Sequence, residues 1–177
     1  MPLGDWLRRL LAGTPATLEA IYLAPAAGRP MQWVAQATLS GQGLEGDRYA
    51  AAAGHWQGPD GCAVTLIRAE DLGWVQRRTG IAVMAGEHRR NLVIRGLPRK
   101  ALASGILRVG QARLAVLGPR PPCGYLERLT QSGMARALRG RSGACARVLT
   151  PGAVRRGDTV RWEPPSPGTP AGDGKPK

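Results

Sequence analysis

From Thr17 onward, apolar side chains recur in short runs broken by Gly, Pro, Asn and Asp, the spacing of β-strands bounded by turns. The runs Thr17–Leu23, Gln32–Leu39, Cys62–Ile67, Arg90–Ile94, Ile106–Val109, Ala112–Leu117, Ala144–Leu149 and Thr159–Trp162 predict strands. Many short strands in one chain predict a mainly β architecture closed as a barrel. Ala69–Thr79 departs from the pattern. It opens on acidic residues, ends on Arg77 and Arg78 and is followed by Gly80, which suits the dipole and the C-terminal stop of a helix. Leu126–Leu138 predicts a second helical stretch, punctuated at Ser132 and Gly133, so Cys123 falls just ahead of helix. Leu3, Trp6, Leu7, Leu10 and Leu11 form a short amphipathic stripe at the N-terminus. The segment after Glu163, PPSPGTPAGDGKPK, has too little apolar surface to order itself. The expected organisation is an amphipathic extension over 1–16, one domain over 17–163 and a disordered tail over 164–177.

At 177 residues with 43% hydrophobic content, the chain can bury a core without metal or disulfide staples. No apolar run reaches the length of a membrane span. Arg8 and Arg9 interrupt the N-terminal apolar stretch, which argues against a secretory leader, so a cytoplasmic location is expected. The three cysteines are odd in number and contain no CxxC pair, so at least one free thiol is expected. Cys62 and Cys145 sit inside predicted strands, where cysteine packs as a small apolar residue with a structural role.

The net charge of +13 raises nucleic-acid binding. Its distribution does not favour that reading. Lysine occurs only at Lys100, Lys175 and Lys177, and the arginines are scattered rather than gathered on one helix or arm. An anionic small ligand accounts for the charge at least as well.

Several chemistries lack their residues. His55 and His88 are the only histidines and belong to no HExxH or Cys-paired array, which disfavours zinc. There is no GxSxG, GxGxxG or GxxxxGK[ST], so serine-triad and nucleotide-loop readings are weak. What remains is GPRPPCGYLE, in which Pro121 and Pro122 stiffen the chain and Gly124 allows close approach to Cys123. Arg120 and the following helix are expected to favour the thiolate, a form that ligates soft metals or carries sulfur. On the residues alone, a small buried Cys123 is an equal alternative. GLEGDRYA brings Glu45, Asp47 and Arg48 together, as a polar-ligand site or as a salt-bridged surface turn. GEHRRNLVIRG concentrates Arg89, Arg90 and Asn91 at a strand entry, either for an anion or as a solvated strand end.

In order, GLEGDRYA, CAVTLI, GEHRRNLVIRGL, LRVGQARLAV, RPPC, GRSGACARVL and GAVRRGDTV resemble the motif series of MOSC domains over most of residues 17–163. The resemblance implies a MOSC-type β-barrel with a few peripheral helices. It implies Cys123 and Asp47 as catalytic residues, with Cys123 also the molybdenum ligand. Arg48, Arg90, Asn91, Arg120 and Arg141 become candidates for holding an anionic molybdopterin cofactor or orienting substrate. Two activities follow. One is an oxidoreductase acting on N-hydroxylated compounds with electrons from an external donor protein. The other is a sulfur carrier or cofactor-delivery protein with a persulfide on Cys123, supplied by a sulfur donor. A basic nucleic-acid module is the third reading. Pyridoxal phosphate is not expected, since the family holds it in a separate desulfurase domain. Cys62 and Cys145 are too isolated for an iron–sulfur cluster.

Overall fold

The computed structural model of the chain describes residues 15–52 and 61–165. The amphipathic stripe of 3–11, His55 and nearly all of the tail expected to be disordered lie outside those residues. Seven strands close a barrel. They are β1 (Ala16–Leu23), β5 (Val64–Arg68), β6 (Leu92–Arg95), β7 (Gly105–Val109), β8 (Ala112–Pro119), β9 (Ala144–Thr150) and β11 (Thr159–Glu163). The ring runs β11-β7-β8-β9-β5-β6-β1 and closes where β1 returns to β11, with Ala16 opposite Val160. β2 (Gln32–Val34) lies outside the ring on β1, while β3 (Gln36–Ser40), β4 (Gly43–Leu44) and β10 (Gly152–Arg155) form a separate three-stranded sheet.

The mainly β barrel expected from the sequence is therefore the observed architecture. The stretch Gln32–Leu39, read as one strand, is two. It bends at Ala35, whose carbonyl accepts the Arg156 N–H at 2.9 Å, and passes from β1 to the second sheet. β4 and β10 are too short and too rich in turn residues to show an alternating pattern.

Alternation along the strands fills the barrel with Leu18, Ile21, Val64, Leu66, Leu92, Ile94, Leu107, Leu114 and their neighbours. Each such side chain contributes about 1.5–3 kcal/mol when fully buried. β5 and β6 are apolar on both faces because a second cluster covers their outside. Ile67 and Val93 meet Leu72, Val75, Leu126, Met134 and Leu138 there. These outer residues come from α1 (Ala69–Thr79), α2 (Gly124–Leu129), α3 (Met134–Ala137) and Leu138 at its C-terminal end. β5 and β6 are also the one parallel pair in the ring among the described residues, and α1 lies in the crossover that such a pair requires.

α1 has its expected bounds and ends on Gly80 at φ +69°, whose N–H reaches the Gln76 carbonyl. One of its buried residues is charged: Asp71 takes Arg68 at 3.4 Å, Arg99 at 3.0 Å and Arg141 at 2.6 Å. The second helical stretch breaks between α2 and α3, at the predicted punctuation, with Gly133 at φ +84°.

The cysteine reading needs correction. Cys62 and Cys145 are joined in a disulfide across 83 residues of sequence, not packed separately. Register alone does not give the pairing: Val64 faces Ala146 and Thr65 faces Cys145, so a continued ladder would carry Cys62 toward Val148. The chain instead leaves the ladder ahead of β5 and sets the Cys62 Cα 5.4 Å from that of Cys145.

Candidate functional site

The site begins at the entry to β6. Arg90 was expected to start this strand, but regular pairing begins at Leu92. The chain instead turns over Gly86, and Arg89 adopts φ +56° with its N–H on the Gly86 carbonyl at 2.9 Å. A non-glycine residue at positive φ is held there by its surroundings. The turn sets Arg89, Arg90 and Asn91 on different paths.

Asn91 points into the protein from the entry to β6 and ties β5 to β1. Its Oδ1 accepts the Thr65 N–H at 3.0 Å and the Thr65 hydroxyl at 2.8 Å, and its Nδ2 donates to the Tyr22 carbonyl at 3.1 Å. Arg90 is buried as well. Its Nε donates to the Ser142 carbonyl at 2.7 Å, its Nη2 to the Ser142 hydroxyl at 2.5 Å and the Arg120 carbonyl at 3.4 Å, and its Nη1 to the His88 carbonyl at 3.3 Å. Four of its five N–H groups are engaged. Burial lowers the Arg90 pKa to about 10, with repulsion from Arg120 and Arg48 in the same direction and the charges of Tyr49 and Cys123 opposing.

Arg89 is different. Its Nη1 donates to the Arg29 carbonyl at 2.8 Å, while Nε and Nη2 have no protein partner among the described residues. Burial, then the neighbouring Arg48, lower its pKa. Arg48 directs Nη1 to Asp47 at 3.1 Å and to the Met31 sulfur at 3.2 Å, and Nη2 to the Arg89 carbonyl at 3.4 Å. It also lies over the Tyr49 ring at 4.9 Å. Asp47, 1% exposed, accepts the Ala24 and Tyr49 N–H groups at 2.8 and 3.1 Å. These bonds lock the loop after β1 to the turn that carries Arg48.

Arg120 reaches into the same region. Its Nη2 donates to the Tyr49 hydroxyl at 3.3 Å and its Nη1 to the Cys145 sulfur at 3.5 Å. Three residues on, Cys123 takes an extended conformation at φ −138° and ψ 168° and caps α2. It is partly buried against the outer apolar cluster and lies outside the Cys62–Cys145 disulfide. Arg48, Arg120 and Cys123 thus all lie within electrostatic reach of Arg90, Arg89 adjoins Arg48, and Asp47 is the carboxylate paired with Arg48. Cations concentrated in a partly dry setting form a strong anion-binding field.

Of the residues singled out from sequence, Asp47, Arg48, Arg90, Asn91, Arg120 and Cys123 fall in or directly behind this cluster. Arg141 does not. It is fixed on Asp71 and stacks 4.0 Å from the Trp74 ring, on the α1 side of the molecule. Glu45 is exposed, and its N–H pairs with Thr38 at 2.9 Å. Tyr49 and Ser142 were not singled out. Their signal was modest: each lies within a quoted motif, GLEGDRYA or GRSGACARVL, without chemistry of its own.

His88 supports the cluster from inside. Its Nδ1 accepts the Arg90 N–H at 2.9 Å and its ring stands edge-on to Tyr22 at 5.3 Å. Burial, then Arg90, lower its pKa to about 3, against about 6.5 for an unfolded histidine. The unfolded chain therefore takes up a proton that the folded chain refuses. This contribution to stability is complete above pH 6.5 and is lost as pH falls from 6.5 toward 3. We expect unfolding free energy to drop by on the order of 1 kcal/mol per pH unit in the upper part of that window. Urea unfolding at intervals between pH 5 and 6.5, above most carboxylate titration, measures it. A His88→Asn chain should lack the slope, and a flat profile in the wild type would contradict the buried neutral imidazole.

The MOSC domain family model matches residues 53–161, more than half of the chain. The match takes in Arg89, Arg90, Asn91, Arg120, Cys123 and Arg141, while Asp47 and Arg48 lie ahead of it. Among solved structures, the YUAD protein of Bacillus subtilis superimposes with a TM-score of 0.69 at 18% identity, covering 83% of this chain and 94% of that one. YiiM from Geobacillus stearothermophilus gives 0.65 at 22% identity, covering 84% and 75%. These likenesses establish a shared fold. No curated protein sequence matches the chain.

Proposed function

This chain belongs to the MOSC domain family, which is associated with the molybdenum cofactor, and from that premise we propose that it binds the cofactor at Cys123 and reduces N-hydroxylated compounds. The observation that carries the reading is that Arg48, Arg120 and Cys123 all lie within electrostatic reach of Arg90, with Arg89 bonded to Arg48 through its carbonyl, and that Cys123 is the cysteine outside the disulfide. One thiol among several guanidiniums is a donor set suited to an anionic group that brings its metal in ligands of its own. When bound, the cofactor supplies a redox-active metal that passes an electron pair to substrate.

The chain's residues divide the remaining work. Cys123 offers a single thiolate ligand from a proline-stiffened loop. Arg89 retains donors for the cofactor's phosphate or pterin oxygens, and Arg120 and Tyr49 border the same space. Arg90, held by Ser142 and His88, contributes fixed positive charge more than free hydrogen bonds. Asp47 and Asn91 are positioning residues that fix Arg48 and the β6 entry. The net reaction is reduction of an N–OH group to N–H with release of water, using electrons and protons from a partner protein.

The test is metal and pterin content after expression in a host that makes the cofactor. We expect both in the wild type, with activity toward a hydroxylamino base falling to background in Cys123→Ser. Retention of cofactor in Arg89→Ala should weaken by about 10–100-fold. Absence of molybdenum and pterin from the wild type, with Cys123→Ser indistinguishable from it, would end this reading.

The partial exposure of Cys123 favours one alternative, a persulfide carrier. There a donor persulfide would pass its outer sulfur to the Cys123 thiolate and leave as a thiolate. Intact mass after incubation with a cysteine desulfurase and cysteine decides it, by a gain of one sulfur in the wild type and none in Cys123→Ser.

A further inference from the structure

We infer that the groove between α1 and α3 is a docking surface for an acidic, apolar-anchored segment of a partner protein. The inference stands whether or not Cys123 carries molybdenum. The groove encloses about 370 Å³ and is lined in part by Trp74, Ile81, Arg136, Ala137 and Arg139. Trp74 is 40% exposed, so a large apolar ring stands at the surface beside the apolar side chains of Ile81 and Ala137. Surface apolar area rimmed by charge is the composition of a protein-binding patch.

Charge selects the partner. Arg136 and Arg139 line the groove, and Arg78 lies one helical turn beyond Trp74 on the same strip of α1. None of these three makes an ion pair among the described residues. Arg141 adds a fourth guanidinium, stacked on Trp74 and fixed there by Asp71. The carboxylates of the three helices are already engaged within the protein. Asp71 is buried under three arginines. Glu70 meets Arg68 at 3.6 Å and the Gly96 N–H at 2.7 Å, and Glu127 accepts the Ala135 N–H at 3.0 Å. Arg78, Arg136 and Arg139 thus carry positive charge with no ion-pair partner among the described residues around an apolar hollow, the complement of an acidic segment bearing an apolar side chain.

A nucleic-acid strand fits less well. Such strands are held along an extended basic track with successive aromatic platforms. Here one tryptophan serves a short concave site, and a guanidinium already stacks on that ring.

The probe is a fluorescein-labelled peptide alternating Glu and Leu, followed by anisotropy against the full chain at physiological ionic strength. A Gln/Leu peptide and a single-stranded oligonucleotide of equal length serve as comparisons. Wild type is expected to bind the Glu/Leu peptide and not the Gln/Leu peptide. Arg136→Glu with Arg139→Glu should weaken binding by at least about tenfold and Trp74→Ala by about fivefold. Arg161→Glu, an equally exposed charge on β11 outside the groove, should change it less than about twofold. All variants are compared at matched far-UV spectra. The inference fails if the wild type does not distinguish the two peptides or if Arg161→Glu costs as much as the groove pair. It fails also if the oligonucleotide binds more tightly than the Glu/Leu peptide.

Discussion

Replacing Cys62 and Cys145 together with Ala is expected to lower the unfolding free energy by about 4 kcal/mol, through the closure entropy of a long loop. The bond joins positions 83 residues apart, so the unfolded chain it constrains would otherwise explore a very large volume. The fold makes the bond consequential beyond entropy. It fixes the approach to β5 against the start of β9, and Arg120 rests a guanidinium N–H on the Cys145 sulfur. Equilibrium unfolding in denaturant, with and without dithiothreitol, measures the effect. Reductant should shift the wild type to the stability of the double variant and leave the double variant unmoved. Equal stability of oxidised and reduced wild type would remove the bond from any account of the fold. Since such bonds persist only at a sufficiently oxidising poise, the same experiment defines the conditions under which the site is held in the geometry described.

Gly143→Ala is expected to destabilise on a similar scale, on the order of 4 kcal/mol, from left-handed backbone strain and overpacking together. Gly143 has φ +80°, and a Cβ built on it would collide with the Leu66 carbonyl oxygen. That oxygen belongs to the main chain of β5 and cannot swing aside. The displacement would reach the site, because Gly143 sits next to Ser142, which holds Arg90, and its own carbonyl accepts the Arg120 N–H at 2.8 Å. Gly140→Ala provides the control. Gly140 also has positive φ, at +71°, but open space around its Cβ position, so backbone strain alone should cost it about 1 kcal/mol. Thermal unfolding of the two variants separates the terms. If they lose equal stability, contact with Leu66 is not what excludes a side chain at residue 143.

The barrel was legible in the sequence because most of its strands are half-buried and announce themselves by alternation. Even β5 and β6, apolar on both faces, were bounded by turn residues and too short to be helices. α1 was legible because its capping signals and its glycine stop are local. The parts that escaped share a dependence on distant neighbours. Nothing near Cys62 points to Cys145, and only the path of the chain as it leaves the β5–β9 ladder makes the bond geometrically available. Asn91 and Arg90 stand side by side in the same motif, yet a positive-φ residue before them sends one into a strand bridge and the other into a lattice of carbonyls. Arg141 carries a site-like motif around it, but burial of Asp71 recruits it elsewhere. For the candidate site, sequence identified the segments that converge and structure distributed the tasks among them. Arg89, read only as part of its motif, emerges with Nε and Nη2 unengaged among the described residues.

The ring closes by joining its first strand to its last, Ala16 to Val160. Nearly the whole domain must therefore have left the ribosome before the final seam can form, and contacts between such distant positions slow folding. The same closure brings the two ends of the domain to one place on the surface, where a short linker could join them and new termini be opened in a turn such as that between β7 and β8. Circular permutation would preserve the barrel while changing which strand is synthesised last.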